Sequence, residues 1–187
     1  MKKKLIIISA PSGAGKSSLC DKLLQEFPLL VDCITYTTRS KRPAESEGAP
    51  YHFVSKDKFL VLKDQGFFAE WAVVHDNYYG TPIDQIESAW KKGQIVIMDI
   101  DVQGAATLRA KYPFAQTIFI LPPSIEELKV RLLGRDKGKT DDLNLRLDNA
   151  KKELLEAPKF NHRVTNADFN VAYAELKKII EEIIKSR

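Results

Sequence analysis

The chain alternates between short runs that are apolar throughout and longer runs in which apolar residues return every three or four positions. Leu5 to Ser9, Ile95 to Ile100 and Thr117 to Leu121 are of the first kind. Runs of that length without a polar face predict strands covered on both sides, as in a parallel sheet. Between them the period is 3.6. Leu19, Cys20, Leu23, Leu24 and Phe27 share one face of a helix expected over Ser17 to Phe27, which Pro28 stops. Further helices are expected from about Val102 to Tyr112 and from Ser124, where Ser124-Ile125-Glu126-Glu127 fits a capping box. Leu176, Ile179, Ile180, Ile183 and Ile184 form the stripe of a C-terminal helix. Strands alternating with helices predict an α/β fold of three layers, a parallel sheet between helices.

Two segments break this rhythm. From about Ile34 to Tyr79 the pattern is β-like, with strand signals at Ile34 to Thr38, Tyr51 to Val54 and Phe67 to Val74, and one helical run at about Asp57 to Asp64. The default reading of Glu70 in the third of these is a solvent-facing carboxylate. The second break, Leu133 to Asp142, is polar and Gly-containing between two helices. The later of these helices carries Leu143, Leu147, Ala150 and Leu154 on one face, so the pair reads as a helical hairpin able to close as a lid.

Composition narrows the function only mildly. With 187 residues and 44% hydrophobic residues, the chain is long enough for one compact core with small appendages. A net charge of +4 suits an anionic small molecule, and Lys2-Lys3-Lys4 reads as a solvated start to the first strand rather than a nucleic-acid tail. No signal peptide or membrane-spanning run is visible, so a cytoplasmic protein without membrane or nucleic-acid partners is expected. Protein partners and oligomeric state are not legible. Cys20 and Cys33 lack redox spacing, and His52, His75 and His162 are scattered, so no metal-ligand pattern stands out.

The chemistry begins after the first apolar run, at Ser9-Ala10-Pro11-Ser12-Gly13-Ala14-Gly15-Lys16-Ser17-Ser18. Gly15-Lys16-Ser17 fits the end of a phosphate-binding loop, while Ala10 stands where the pattern has its first Gly. Pro11, Ser12, Gly13, Ala14, Gly15, Lys16, Ser17 and Ser18 are the candidates to hold a nucleoside triphosphate. Gly13 and Gly15 let backbone N–H groups curl around phosphate, with the following helix adding its dipole. Lys16 supplies charge to the β/γ-phosphates, and the Ser17 hydroxyl can ligate Mg²⁺. Asp99, closing an apolar strand, is the matching carboxylate for that ion, directly or through water. A second anion site is suggested by Arg39 and Arg42, since paired guanidinium groups bind phosphate bidentately, with Tyr51 and Tyr79 as phenolic donors. A second phosphate site implies a phosphorylated acceptor.

Longer motifs sharpen this. T-T-R-x-x-R-P (Thr37 to Pro43), Glu45, Gly48, Tyr51 and Phe53 in E-x-x-G-x-x-Y-x-F, N-Y-Y-G-T (Asn77 to Thr81), D-I-D-x-Q-G (Asp99 to Gly104) and I-L-P-P-S (Ile120 to Ser124) resemble guanylate kinase, in order and along nearly the whole chain. The resemblance implies a P-loop kinase core over 1–33, 84–127 and 152–187, a small β-rich GMP-binding domain over 34–83, and a lid over 128–151. It further implies ATP-dependent conversion of GMP to GDP with Mg²⁺. Arg39, Arg42, Tyr51 and Tyr79 match GMP-phosphate ligands. Thr35, Glu70, Thr81 and Asp101 match guanine-reading positions, with Gly104 beside them. Arg131, Arg135 and Arg146 match lid arginines that close over the ATP phosphates, and Lys16 and Arg39 complete the catalytic set. Asn166 matches an Asn near the adenine pocket.

The chemistry of the base agrees with this. Guanine presents N1–H and N2–H₂ donors that one carboxylate, Glu70, can accept together, and a Thr81 hydroxyl can donate to O6. A site built on such hydrogen bonds can reject an analogue lacking them by roughly 10⁴–10⁵-fold. Read locally, Thr81-Pro82-Ile83-Asp84 is also a helix start with Thr81 as its N-cap. The sequence departs from the family at Ala44 for a common Gly, at Gly134-Arg135-Asp136 for Gly-Arg-Gly, and at Asn166-Ala167 for Asn-Asp. An interaction module of the same fold would have no need of Lys16 and the lid arginines, and a kinase for a ribose phosphate no need of Glu70, Thr81 and Asp101 together.

Overall fold

The computed structural model describes residues 3–42, 45–74, 76–135 and 143–186. Its core is a sheet of five parallel strands in the order β10 (His162–Thr165), β9 (Gln116–Leu121), β1 (Leu5–Ser9), β8 (Ile95–Asp99) and β2 (Leu30–Asp32). β1 lies in the middle and is buried along its whole length. Its side chains alternate between layers: Ile6 and Ile8 pack with α1 (Lys16–Glu26) and α7 (Phe169–Lys185), Leu5 and Ile7 with α3 (Ile83–Lys91) and α4 (Val102–Lys111). Leu176, Ile180 and Ile183 of the C-terminal stripe are buried in the first layer. Each such side chain contributes about 2 kcal/mol by leaving water.

The strands visible in the sequence are the central ones. β2 and β10 are short edge strands whose residues alternate between burial and exposure, so no apolar run marks them. Helix starts follow their caps. Ser124 accepts from Glu127 N–H at 3.1 Å ahead of α5 (Ile125–Arg135), and Asp168 accepts from Asn170 and Val171 N–H ahead of α7.

A second five-stranded sheet runs β4 (Ser46–Glu47), β5 (Pro50–Phe53), β3 (Thr35–Thr37), β7 (Asn77–Pro82), β6 (Phe68–Val74). It is mixed, with β3 parallel to β5 and β6 antiparallel to β7. α2 (Lys56–Asp64) covers it through Phe59, which is fully buried and stacks on Phe68 at 4.5 Å. The β6–β7 register shifts between Phe68 and Glu70, and the alternation of β6 fails there: Phe68, Ala69 and Glu70 are all buried. Such an irregularity re-aims a side chain. Glu70 therefore points inward, correcting the solvent-facing default.

α5 and α6 (Leu143–Leu154) pack as a hairpin through Leu128, Leu132 and Ala150, with Leu143 and Leu147 beside them. Most of the polar connection between them, from Asp136, lies outside the described residues, as do Pro43, Ala44 and His75. Leu154, assigned to the same face, packs instead with the α4 layer of the core.

Candidate active site

The first functional elements meet at the carboxyl ends of β1 and β8, where open parallel sheets place ligands. After β1 the chain turns through Gly13 (φ 91°) and Gly15 (φ 89°), both in the left-handed region that glycine takes without strain. Ala10 is not among the residues with positive φ, so the substitution for Gly costs the loop nothing there. Gly15 is the N-cap of α1 and offers no side chain to it, and the first turn holds no acidic residue. The N–H groups of that turn are left for an anion.

Lys16 and Ser17 converge on Asp99. Lys16 Nζ lies 2.5 Å from Asp99 Oδ1 and donates to the Ile100 carbonyl at 3.1 Å, while Ser17 Oγ donates to Asp99 Oδ2 at 2.9 Å. Burial by itself would push the Lys16 pKa down, but the adjoining Asp99 carboxylate outweighs it and holds the ammonium above its ordinary value. A cation and two hard oxygen donors thus sit ahead of the loop.

The candidate second anion site gathers residues that follow β3 with Tyr51 of β5 and Tyr79 of β7. Glu45 forks the Arg39 guanidinium, with Nη2 to Oε1 at 2.7 Å and Nη1 to Oε2 at 3.1 Å, and also accepts the Arg42 N–H at 2.8 Å. Arg39 lies over the Tyr51 ring at 5.4 Å, and the Tyr51 and Tyr79 rings meet edge-on at 5.9 Å. The Arg42 side chain is exposed. Burial raises the Tyr51 pKa, with Asp99 adding to the rise and Lys16 and Arg39 opposing it. Glu45 held no assigned role in the sequence; its fork is a tertiary contact that a motif letter does not reveal.

Deeper in, Glu70 is 3% exposed and accepts from the Thr81 hydroxyl at 2.6 Å. Burial, with the Asp101 carboxylate adding to it, pushes Glu70 up to about 7 against the Thr81 hydrogen bonds. Thr81 lies in β7 and its proton goes to Glu70. Pro82 is the N-cap of α3 and supplies no side-chain cap, so the helix-cap reading of Thr81 is corrected. In this structure the hydroxyl positions the carboxylate rather than pointing a free proton at a base oxygen. Asp101 caps α4, accepting from Gln103 and Gly104 N–H at 2.8 and 3.3 Å. Gly104 has a steric reason to be Gly: a Cβ there would sit 2.7 Å from Glu70 Oε2. Thr35, half-buried on β3, lies in register with Tyr51.

The arginines expected in a lid divide. Arg146 Nη2 donates to the Ser12 hydroxyl at 3.1 Å, directly on the phosphate loop. Arg131 is paired within its own helix to Glu127 at 3.1 Å. Arg135 ends α5, and its side chain lies outside the described residues. Leu128 and Leu132 close over Gly13, where a Cβ would meet Leu132 Cδ2 at 3.0 Å. Asn166 is buried under the loop and donates from Nδ2 to the Ala14 carbonyl at 2.8 Å; a Cβ on Gly15 would collide with that nitrogen. Its visible task is to brace the phosphate loop.

Fold and site together define an α/β protein of the P-loop kinase type, with a candidate second anion site at Arg39 and a buried carboxylate at Glu70. The guanylate kinase family model matches residues 2–183, and the chain belongs to that family. It is 47% identical to a guanylate kinase of Bdellovibrio bacteriovorus over 98% of this chain and 100% of the relative, and 44% identical to one of Oleidesulfovibrio alaskensis over 92% and 84%. The crystal structure of guanylate kinase from Anaplasma phagocytophilum superimposes with a TM-score of 0.82 at 29% identity, covering 98% of this chain and 87% of that one. Guanylate kinases phosphorylate GMP to GDP with ATP. Among the described residues no helix is long and apolar enough to cross a membrane.

Proposed function

We propose that this protein transfers the γ-phosphoryl group of ATP in line to the 5′-phosphate of GMP, and of dGMP, with no covalent intermediate. The reading rests above all on Glu70: a buried carboxylate, pushed up to about 7 and held by Thr81, that two guanine N–H donors would satisfy and adenine N1 would not. The P-loop from Pro11 to Ser18 grips the triphosphate. Lys16 exchanges Asp99 for phosphate oxygens. Arg39 and Arg42, with Tyr51 and Tyr79, hold the acceptor phosphate, and Glu45 keeps the Arg39 fork aimed before it arrives. The acceptor oxygen is already ionised, so no general base is required. Arg131, Arg135 and Arg146, on a lid of about 128–151, meet the charge that spreads over the transferred group and shut out water. Residues 34–83 form the acceptor-binding unit and the remainder the core.

Ser17 Oγ and Asp99 Oδ2 are the oxygen donors expected around Mg²⁺, which when bound neutralises phosphate charge. The substrates, with free buried Cys20 and Cys33, support a cytoplasmic setting. Transfer from ATP made chiral at the γ-phosphorus should proceed with inversion for both GMP and dGMP; retention would rule out the single in-line step.

A further inference from the structure

Two covalent crossings join the second sheet to the first. β3 to β7 and α2 occupy one continuous stretch of chain, entered after β2 through Cys33 and Ile34 and left where β7 passes into α3 at Pro82 and Ile83. Gln85, in the first turn of α3, ties these crossings together. Its Oε1 accepts the Ile34 N–H at 2.8 Å, and its Nε2 donates to the Ile34 carbonyl at a longer 3.4 Å. A backbone N–H can only donate, which fixes the amide oxygen as its partner. One side chain thus takes both polar groups of a residue standing between the two sheets, as the facing residue of an antiparallel strand would.

Other hydrogen bonds at the crossings are made locally. Cys33 N–H donates to the Asp32 carboxylate at 2.8 Å, Gln85 N–H to the Asp84 carboxylate at 2.8 Å, and Ile83 N–H to the Phe67 carbonyl at 3.1 Å. None of these three spans both crossings. The second sheet also rests on the core where Ala69 packs in one cluster with Ile86 and Leu108. Apolar burial of that kind is non-directional and leaves the angle of the sheet to be set elsewhere. Ile34 stands at the foot of β3, and Arg39 follows that strand, whereas Lys16 opens α1 behind the central strand of the first sheet. The separation between Arg39 and the phosphate loop therefore runs through the Ile34 crossing.

We propose that Gln85 is a positioning residue, a hinge pin that locks the entry crossing to the exit crossing through the Ile34 peptide groups and so sets the second sheet, with Arg39, against the phosphate loop. The proposal rests on the reading of 34–83 as the acceptor-binding unit and adds to it a residue outside both anion sites. Hinges are a few positions at the ends of elements, where small changes in backbone angle swing everything beyond them. Without the pin, Ile34 turns more freely and the two sites no longer share one separation. A misplacement of about 1 Å between reacting groups can cost about 10²-fold.

The test uses the full chain and two variants. Gln85→Met keeps the length of the side chain and neither bond, and Gln85→Glu keeps an oxygen to accept the Ile34 N–H. Exchange of the Ile34 amide proton is followed by NMR, beside kcat with GMP, KM for ATP and Tm. Gln85→Met should speed Ile34 exchange at least about tenfold and lower kcat at least about tenfold, with KM for ATP within about twofold. Gln85→Glu should keep Ile34 protected and kcat within about threefold of the parent. The proposal is overturned if Gln85→Met leaves exchange and kcat at parent values. It is also overturned if either variant shows fast exchange at Ile34 with parent kcat, or a protected Ile34 with kcat lowered about tenfold. A loss shared equally by kcat and KM for ATP would mark Gln85 as a support of the fold at large and overturn it too. If Gln85→Met fails to fold, Gln85→Glu decides by the same pairing of exchange and kcat. A parent protein that does not turn over GMP would overturn the reading of 34–83, and the proposal with it.

Discussion

Replacing Glu70 by Gln should separate the two tasks of its carboxylate, because the change keeps shape and the oxygen that accepts from Thr81 while removing the charge. In the free protein that charge is costly. The folded group is pushed up to about 7 from an ordinary 4.5, so between these pH values the folded state holds a proton that the unfolded state has released. Stability therefore falls as pH rises through this window, and the loss is complete above it. At 1.36 kcal/mol per pH unit, the cost comes to at most about 3 kcal/mol. Glu70→Gln should remove it, raising Tm by several degrees at pH 8 and by almost nothing at pH 4.5. With GMP the effect reverses. One guanine N–H would face the new amide NH₂ instead of a carboxylate oxygen. A hydrogen bond to a charged group is worth about 1.5–3 kcal/mol, and an unpaired buried donor costs as much again, so kcat/KM for GMP should fall about 10²–10⁴-fold. KM for ATP should stay within about twofold, since no contact to the phosphate loop is lost. Scanning calorimetry at two pH values and a coupled ADP-release assay read both arms. A lower Tm at pH 8, or equal losses toward GMP and ATP, would refute the reasoning.

Other outcomes follow from the same contacts. Gly104→Ala drives a methyl into Glu70 Oε2, so KM for GMP should rise at least about tenfold in steady-state assays while ATP binding is unchanged. Lys16→Met removes the cation beside Asp99 and should lower kcat by about 10²–10³-fold, read by rapid quench with the fold checked by circular dichroism; a loss below about tenfold would remove Lys16 from the chemistry. Asn166→Ala leaves the buried Ala14 carbonyl unpaired, at about 1–3 kcal/mol, and should lower Tm and raise KM for ATP without altering KM for GMP. Because the protonated form of Glu70 cannot accept both guanine donors, KM for GMP should rise as pH falls below about 7, and more steeply than in Glu70→Gln, where only the GMP phosphate, with its second pKa at about 6, still titrates.

The central strands and the phosphate loop were legible because their signals are local. Leu5 to Ser9 is apolar on both faces since it is covered on both faces, and Gly13 and Gly15 sit where the backbone turns left-handed. What stayed hidden was set by partners distant in sequence. Nothing near Glu70 announces the register shift that buries it, and Thr81 reads as a helix cap until β7 carries it opposite β6. Glu45 was a motif letter without a task until its fork on Arg39 could be seen. β2 and β10 escaped notice because edge strands need only one apolar face. Asn166 was legible only through resemblance, and its hydrogen bond to the Ala14 carbonyl depends on the close approach that Gly15 permits.

The most direct test of the whole account is the acceptor itself. Purified protein with ATP and Mg²⁺ should be given GMP, dGMP, AMP, UMP and ribose 1,5-bisphosphate in turn, with ADP release followed for each. GMP should exceed AMP in kcat/KM by roughly 10⁴-fold or more, as a site built on base hydrogen bonds allows, with dGMP the only other acceptor of the five to support turnover. Equal use of AMP and GMP would contradict the base-reading role of Glu70 and the account built on it.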